Sequence, residues 1–497
     1  MFTILVAVLP APGQNVQVFE TYGDQSKLLA RRSPGVTFAP GPPAASPAFK
    51  IAVDSNTTYQ QMDGVGASLT DSAGWVLWNK LTESQRLSLM QSLFDPNSGI
   101  GIGLLRQPMG ASDFSASGNY SYDDVPAGQG DPNLAQFSIA HDQTYLIPLL
   151  RQALSINPSL KVHALPWSPP AWMKTNGSMN GGNVVTADFP SLARYFTRFI
   201  GAYQQQGIPI YAVSMQNEPL NPTNGYPSAS VASTDEANFI GNYLGPALAG
   251  AGLGSVKILG YEHNWDHPEY PKALLADKTA YGYLAGSAFH CYAGGVSAQS
   301  QVKQAYPAKD IWFTECSGTV ESKFAGDLAW NAENLLIGAT RNWARGVTLW
   351  NIALDQNSGP LNGGCTACRG VVTVDSSVSP PRIARNVEYY LLGHLGKFLQ
   401  AGAYRIDSNT YGSGSLEDVA FRNPDGSIVL LVLNAASVNS TFAVTWNGSN
   451  FTDTLPAGAV ATYVWAVPAP AFPANGAVNA AAPHAALSPA SCFRFTA

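Results

Sequence analysis

This chain has little charge: Asp, Glu, Lys and Arg make up 12% of its 497 residues, roughly half the share of about 25% usual in soluble proteins. The net charge is −6, and no Lys/Arg block exists beyond the pair Arg31–Arg32. Both features argue against a nucleic-acid partner or an anionic membrane surface, which are held through clustered cations. Long apolar runs are also missing, and no stretch reaches the ~18 residues needed to span a bilayer. HExxH, GxSxG, P-loop and post-strand GxGxxG patterns are all absent. Metalloprotease, esterase, kinase and dehydrogenase readings therefore have no support, and no metal or other cofactor is implied. Five cysteines are too few for a disulfide scaffold. Cys365 and Cys368, in NGGCTACRG, read as a local loop disulfide rather than half a zinc site. Cys291 and Cys316 flank barrel-facing residues and read as buried free thiols, with a bridge open to them because their strands are neighbours. Cys492 reads as free.

In place of charge the chain carries Asn, Ser, Thr, Gly and Tyr, a surface suited to a neutral partner. N-x-S/T sequons stand at Asn56, Asn119, Asn176, Asn439, Asn447 and Asn450, acceptors if the chain enters a secretory pathway. The opening MFTILVAVLPAPG, with no basic residue before its apolar run, reads as the remnant of a signal peptide over residues 1–14. The expectation is a secreted, extracellular monomer.

From residue 59 to 400 the chain alternates apolar strand, loop and amphipathic helix. The strands read as QQMDGVGASLT, GIGLLRQPMG, KVHALPWS, IYAVSMQN, VKILGYEH, GSAFHCYAG, DIWFTECSG and GVTLWNIAL. Helices lie between them, one opened by a Thr82/Gln85 capping box, one stopped at Gly207, and the last over 386–399. Eight strand–helix units predict an α/β fold, a (β/α)8 TIM barrel. Residues 401–466 change to period-two alternation, with Asn423-Pro424-Asp425-Gly426 as a hairpin turn. Residues 15–58 carry strand-like pieces that should join the same all-β sandwich. Residues 467–497, rich in Ala and Pro, read as a flexible tail.

Function is read from the strand ends, which converge on one mouth in such a barrel. Glu218 and Glu315 each close an apolar strand, where an unpaired carboxylate is costly. Two of them at one mouth point to the acid-plus-nucleophile pair of glycoside hydrolysis. Arg106 would keep the nucleophile anionic, or serve only as a buried ion-pair partner. The negative Glu315 and a partly dry pocket would raise the pKa of Glu218. Asp71, Trp167, Asn217, Asn264, His290, Tyr292 and Trp350 supply the hydrogen bonds and aromatic faces that a pyranose needs. His290 is read as a hydrogen-bonding group rather than a metal ligand, and Trp172 as an aromatic platform on the Pro-rich turn.

The segments DGVGASLTDSAG, LLRQPMGASDFS, LPWSPPAWMKTNGSMNGG, MQNEPLNPTNGYPS, YEHNWDHPEYP, SAFHCYAGG, FTECSG and LWNIALDQNSGP resemble glycoside hydrolase family 30, which holds glucosylceramidases, endo-β-1,6-glucanases and some xylanases. The resemblance runs from about residue 16 to 466. It implies the barrel with a β-sandwich built from both chain ends, and a retaining double displacement with Glu218 as acid/base and Glu315 as nucleophile. It also implies that Asp71 holds the distal hydroxyls of the nonreducing-end sugar, that Trp167, Asn217, Tyr292 and Trp350 line the same subsite, and that Tyr226 is a rim aromatic. The stretch NSGPLNGGCTACRGVVTVD and the run HNWDHPEYP resemble the endo-β-1,6-glucanase branch, so a β-glucan is the expected substrate. The alternatives are an exo-acting β-glucosidase or glucosylceramidase on the same scaffold and, more remotely, an inactive glycan-binding protein.

Overall fold

The computed structural model describes residues 13–43 and 47–466. Almost all of the apolar leader, the Ala/Pro-rich tail and Cys492 lie outside the described residues. Eight parallel strands close into a barrel: β1 (Gly64–Ser68), β2 (Leu104–Pro108), β3 (Lys161–Leu165), β4 (Ile210–Ser214), β5 (Lys257–Asn264), β6 (Leu284–His290), β7 (Asp310–Glu315) and β8 (Ala344–Asn351). Each pairs with the next, and β8 returns to β1 through Val347↔Val65, so no strand edge is left open. These are the strands expected from the apolar runs. Glycine sets the closeness of one pairing: a Cβ on Gly66 would stand 1.8 Å from the Leu104 carbonyl oxygen across the β1–β2 ladder.

The helices follow their sequence signals. Thr82 and Gln85 make the reciprocal capping box of the Glu83–Phe94 helix, and the Phe189–Gln205 helix stops before Gly207, whose φ is +78°. The last barrel helix spans Val387–Gly396. At the face where the strands start, Asp63 ties the barrel together. Its carboxylate accepts from Lys161 (2.6 Å), Tyr211 (2.7 Å), Trp312 (2.8 Å) and Arg345 (3.3 Å). Burial pushes its pKa up, but Arg345 and Lys161 outweigh that and hold it below the ordinary value. Among the described residues no helix is long and apolar enough to cross a membrane.

The second domain is a curled, mixed, eleven-stranded sheet drawn from both ends of the chain. Asn15–Thr21 pairs antiparallel with Val460–Trp465, and Leu416–Arg422 turns into Ile428–Asn434 at the expected hairpin, where Gly426 has φ +86°. The thirteen-residue strand Phe49–Gln61 joins the two halves, antiparallel to Tyr404–Ser408 and parallel to Ser440–Trp446. It belongs to this sheet along its whole length, so the barrel opens at Gly64. Of the sequons, Asn56, Asn119, Asn176, Asn439 and Asn447 are exposed. Asn450 is corrected: it is buried, and its Nδ2 donates to the Gly41 carbonyl at 2.7 Å, which leaves no room for a glycan.

Candidate active site

The C-terminal strand ends surround a cavity of about 570 Å³. Of the residues named from the sequence, Trp167, Asn217, Glu218, Tyr226, Asn264, Tyr292, Glu315 and Trp350 line it. Glu218 follows β4, and Glu315 is the last residue of β7. Trp167 and Trp350 stack with centroids 4.9 Å apart and form one wall. Asn221 donates to Glu218 Oε2 at 2.8 Å, and Asn264 Oδ1 accepts the Tyr292 backbone N–H at 3.1 Å.

Arg106 and His290 lie beneath this floor, both fully buried. A buried guanidinium must be paired, and Arg106 is. It donates through Nη1 to Glu315 Oε2 (2.5 Å), and through Nη2 to Asn217 Oδ1 (2.7 Å) and Glu262 Oε2 (2.9 Å). Burial favours loss of its proton, but Glu262 and Glu315 reverse that, and the charge is retained. The other oxygen of Glu315 accepts from the Tyr292 hydroxyl at 2.9 Å. Cys291 and Cys316 form a disulfide with Cα atoms 5.4 Å apart, not the buried free thiols expected. Because β6 and β7 are neighbours and His290 is in register with Glu315, the next side chains of both strands meet, and the bridge ties the Tyr292 and Glu315 strand ends together. Cys365 and Cys368 are bonded as expected, and both line the cavity, a placement their spacing did not indicate.

Glu218 departs from expectation. Burial does push its pKa up, but His263 and His290 beside it outweigh the burial and hold it well below the carboxylate range. His290 Nδ1 lies 3.2 Å from Glu218 Oε1, and its Nε2 lies 3.2 Å from Glu262 Oε2. Burial alone would lower the pKa of this imidazole; Glu315, Glu218 and Glu262 instead raise it to about 9. Of this pair, His290 is the one that holds the proton.

Asp71 is not in the cavity. It opens the Asp71–Asn79 helix, and its carboxylate is consumed by the Ala116 N–H (2.7 Å), Ser115 Oγ (3.1 Å), His141 Nε2 (2.9 Å) and the Tyr145 hydroxyl. A carboxylate with that many partners in two flanking loops has nothing left for a sugar. The acid that faces the cavity is Asp113, from MGASDFS. Its Oδ1 is buried without a partner, and burial together with Glu315 and Glu218 raises its pKa well above the ordinary value. Trp172 is no platform either: it packs against the barrel core, its Nε1 donating to Asp123 Oδ2 at 3.0 Å.

Sequence reasoning missed Glu262. This carboxylate, fully buried on β5, accepts from Arg106, from Thr314 Oγ1 (3.0 Å) and from Ser214 Oγ (3.1 Å). The signal was its charge inside the run ILGYEHN, costly unless paired. Burial pushes its pKa up, and Arg106 and the neighbouring histidines reverse this and hold it down.

Comparison with known proteins bears on the fold and the family. The chain is 33% identical over 451 residues to the endo-1,6-beta-D-glucanase neg1 of Aspergillus fumigatus, covering 85% of this chain and 89% of that protein. It is 30% identical over 440 residues to the lysosomal acid glucosylceramidase of Mus musculus, covering 84% and 83%. Among solved structures, the endo-beta1,6-glucanase BT3312 superposes with a TM-score of 0.83 at 31% identity, covering 91% of this chain and 99% of that one. Residues 62–399 match the glycosyl hydrolase family 30 TIM-barrel domain and residues 402–463 the family 30 beta sandwich domain. Two glutamates facing one aromatic-walled cavity in a barrel of this kind are the equipment of a glycosidase, and with both domain models matched the chain belongs to glycosyl hydrolase family 30.

Proposed function

We propose that the protein is a secreted, retaining endo-β-1,6-glucanase, with Glu315 as nucleophile and Glu218 as acid/base. The observation that carries this reading is the convergence of both glutamates on one cavity, in a chain at least 30% identical to endo-1,6-β-glucanases over most of its length. Arg106 and the Tyr292 hydroxyl fix both oxygens of Glu315, so its attack on the anomeric carbon starts from a held position. As Glu315 becomes an ester it loses its charge, and His290 loses part of what keeps it protonated. The proton then passes along the 3.2 Å contact to Glu218 and on to the departing oxygen. In the second half-reaction Glu218 takes a proton from water and passes it back to His290 as Glu315 regains its charge. Trp167 and Trp350 offer a face to the sugar ring, and Asp113, which lines the same cavity with its Oδ1 unpartnered, offers hydroxyl contacts.

The sequons and the low surface charge support secretion. The exo-acting alternative draws on the similarity to glucosylceramidase. Incubation with linear β-1,6-glucan, linear β-1,3-glucan and glucosylceramide side by side separates the two. Early oligosaccharides of mixed length from β-1,6-glucan are expected; glucose alone, or cleavage of glucosylceramide only, would overturn the proposal.

A further inference from the structure

Glu218, His263 and His290 each present one ligand atom, all within 4.8 Å of one another. They come from the ends of β4, β5 and β6, so no spacing along the chain announces the set. His290 Nδ1 stands 3.2 Å and His263 Nδ1 3.8 Å from Glu218 Oε1. A tetrahedral zinc ion with bonds of about 2.0–2.2 Å holds its ligands roughly 3.3–3.5 Å apart. Both spacings to Glu218 therefore lie within a few tenths of an ångström of that arrangement, and the two histidine nitrogens stand no more than 4.8 Å apart. His263 is only 6% exposed, and its Nδ1 has no hydrogen-bond partner. A buried nitrogen left unpaired in a fully packed wall calls for an explanation.

Two further features fit a metal. Behind His290, Nε2 faces Glu262 Oε2, which Arg106 and Thr314 hold in place. A carboxylate behind the imidazole is the arrangement that orients a histidine ligand and strengthens it. In front, Glu218 borders the open cavity, which leaves a fourth position for water. Two imidazoles and one carboxylate favour zinc-class ions over calcium or magnesium, which prefer all-oxygen shells.

We propose that Glu218, His263 and His290 form an inhibitory site for a zinc-class divalent cation, which stops turnover by occupying the acid/base carboxylate. A bound ion takes the place of any proton on Nδ1 of His290, while the Nε2–H faces Glu262. The site itself stands on geometry; only the inhibition rests on the role proposed for Glu218.

The test is equilibrium dialysis of the full chain against Zn²⁺, with hydrolysis of linear β-1,6-glucan, whose leaving group needs the acid, followed over the same concentrations. One ion per chain is expected, with activity falling as that ion binds. Co²⁺ in its place should give the visible absorption of a tetrahedral site. His263→Gln should raise the half-saturating Zn²⁺ concentration by more than about tenfold and abolish the cobalt bands. His267→Ala, on the exposed Asp266–Glu269 turn, should change neither. Glu218→Gln is the second ligand variant should His263→Gln fail to fold. Unchanged Zn²⁺ affinity in a folded ligand variant overturns the site. Binding at the trio without loss of activity overturns the inhibitory role and the assignment of Glu218 with it, whereas failure to bind leaves that assignment untouched.

Discussion

Arg106 governs the site at the scale of single residues, because one buried cation holds Glu315, Glu262 and Asn217 and so sets where the nucleophile stands. Glu315→Gln should abolish turnover with the fold intact, since no glycosyl-enzyme can form; a fluoro-sugar inactivator should label the wild-type peptide containing FTECSG, and labelling elsewhere would end the assignment. Glu218→Ala should keep activity on aryl glucosides whose leaving group needs no protonation. Added azide should then yield a β-glucosyl azide, and an α-product would remove the retaining mechanism. Asp113→Ala should lower kcat/KM by about 5- to 150-fold, the ~1–3 kcal/mol of leaving a sugar hydroxyl without its partner in a buried site. Asp71→Asn should instead lower the melting temperature and leave kcat/KM of the folded enzyme near wild type; equal kinetic losses from both would return Asp71 to the site. The two glutamates were legible in the sequence because a carboxylate ending an apolar strand has few other purposes. Choosing Asp71 over Asp113 was not legible. Both acids follow barrel strands, and which one faces inward depends on loop residues, Ser115 to His141, that close around the first. Glu262 was hidden for another reason: its partners Arg106, His290 and Thr314 come from three other strands.

The element that shapes the acid/base is the end of β5. Tyr261 and Glu262 have φ of 81° and 54°, and the pairing with β6 slips between Tyr261 and His263. Left-handed backbone at two bulky residues costs on the order of 1–3 kcal/mol each and survives only where the surroundings enforce it. The surroundings are Glu218, whose N–H donates to the Glu262 carbonyl at 3.0 Å, and Glu236 of the Ser233–Phe239 helix, whose Oε1 accepts the Tyr261 N–H at 3.1 Å. Glu236 is buried, and burial raises its pKa to about 7. The folded state therefore holds this proton where the unfolded chain has released it. Stability from this group is full below about pH 4.3 and is lost as pH rises toward 7, by on the order of 3 kcal/mol. Melting curves of Glu236→Gln should lose that decline between pH 5 and 8; a parallel decline in variant and wild type would show that Glu236 is not its source. Period and capping made strands and helices readable, down to the Thr82 cap. The bulge was not, since neither Gly nor Asn marks it, and the turn residues that betray a left-handed backbone in sequence are missing. The Cys365–Cys368 loop was readable as a disulfide but not as a cavity wall, because its position depends on the pairing of Cys368–Arg369 with Gly318–Thr319 beyond the nucleophile.

For the whole molecule the question is whether barrel and sandwich are separable. Sequence periodicity marked the change near residue 400 and assigned both chain ends to one sheet, but it carried no information about the surface between the domains. That surface is apolar and continuous: Val419, Phe421, Val429, Leu431 and Leu433 of the sandwich belong to the same buried cluster as the barrel helices. Inside it His394, on the last barrel helix, is fully buried and bonds Thr21 and Thr462 of the sandwich, each at 2.8 Å. Burial lowers the pKa of His394 to about 3, so the unfolded chain takes up this proton first. Its contribution is whole above about pH 6.5 and is lost as pH falls toward 3. Replacing His394 by Ala removes one hydrogen bond from each of two buried hydroxyls, at about 0.5–1.5 kcal/mol each, in addition to the cavity; Thr21 Oγ1 keeps the Leu29 N–H and Thr462 Oγ1 keeps the backbone carbonyl of residue 394. With the interface built this way, neither domain can unfold without exposing the other's apolar face. Scanning calorimetry at pH 7 should therefore show one transition whose calorimetric and van't Hoff enthalpies agree. His394→Ala should move that transition down as a unit and flatten the acid limb of its pH dependence. Two resolved transitions in the wild type, with only one displaced by the substitution, would mean that the sandwich is an independent appendage and that the buried histidine serves its own domain alone.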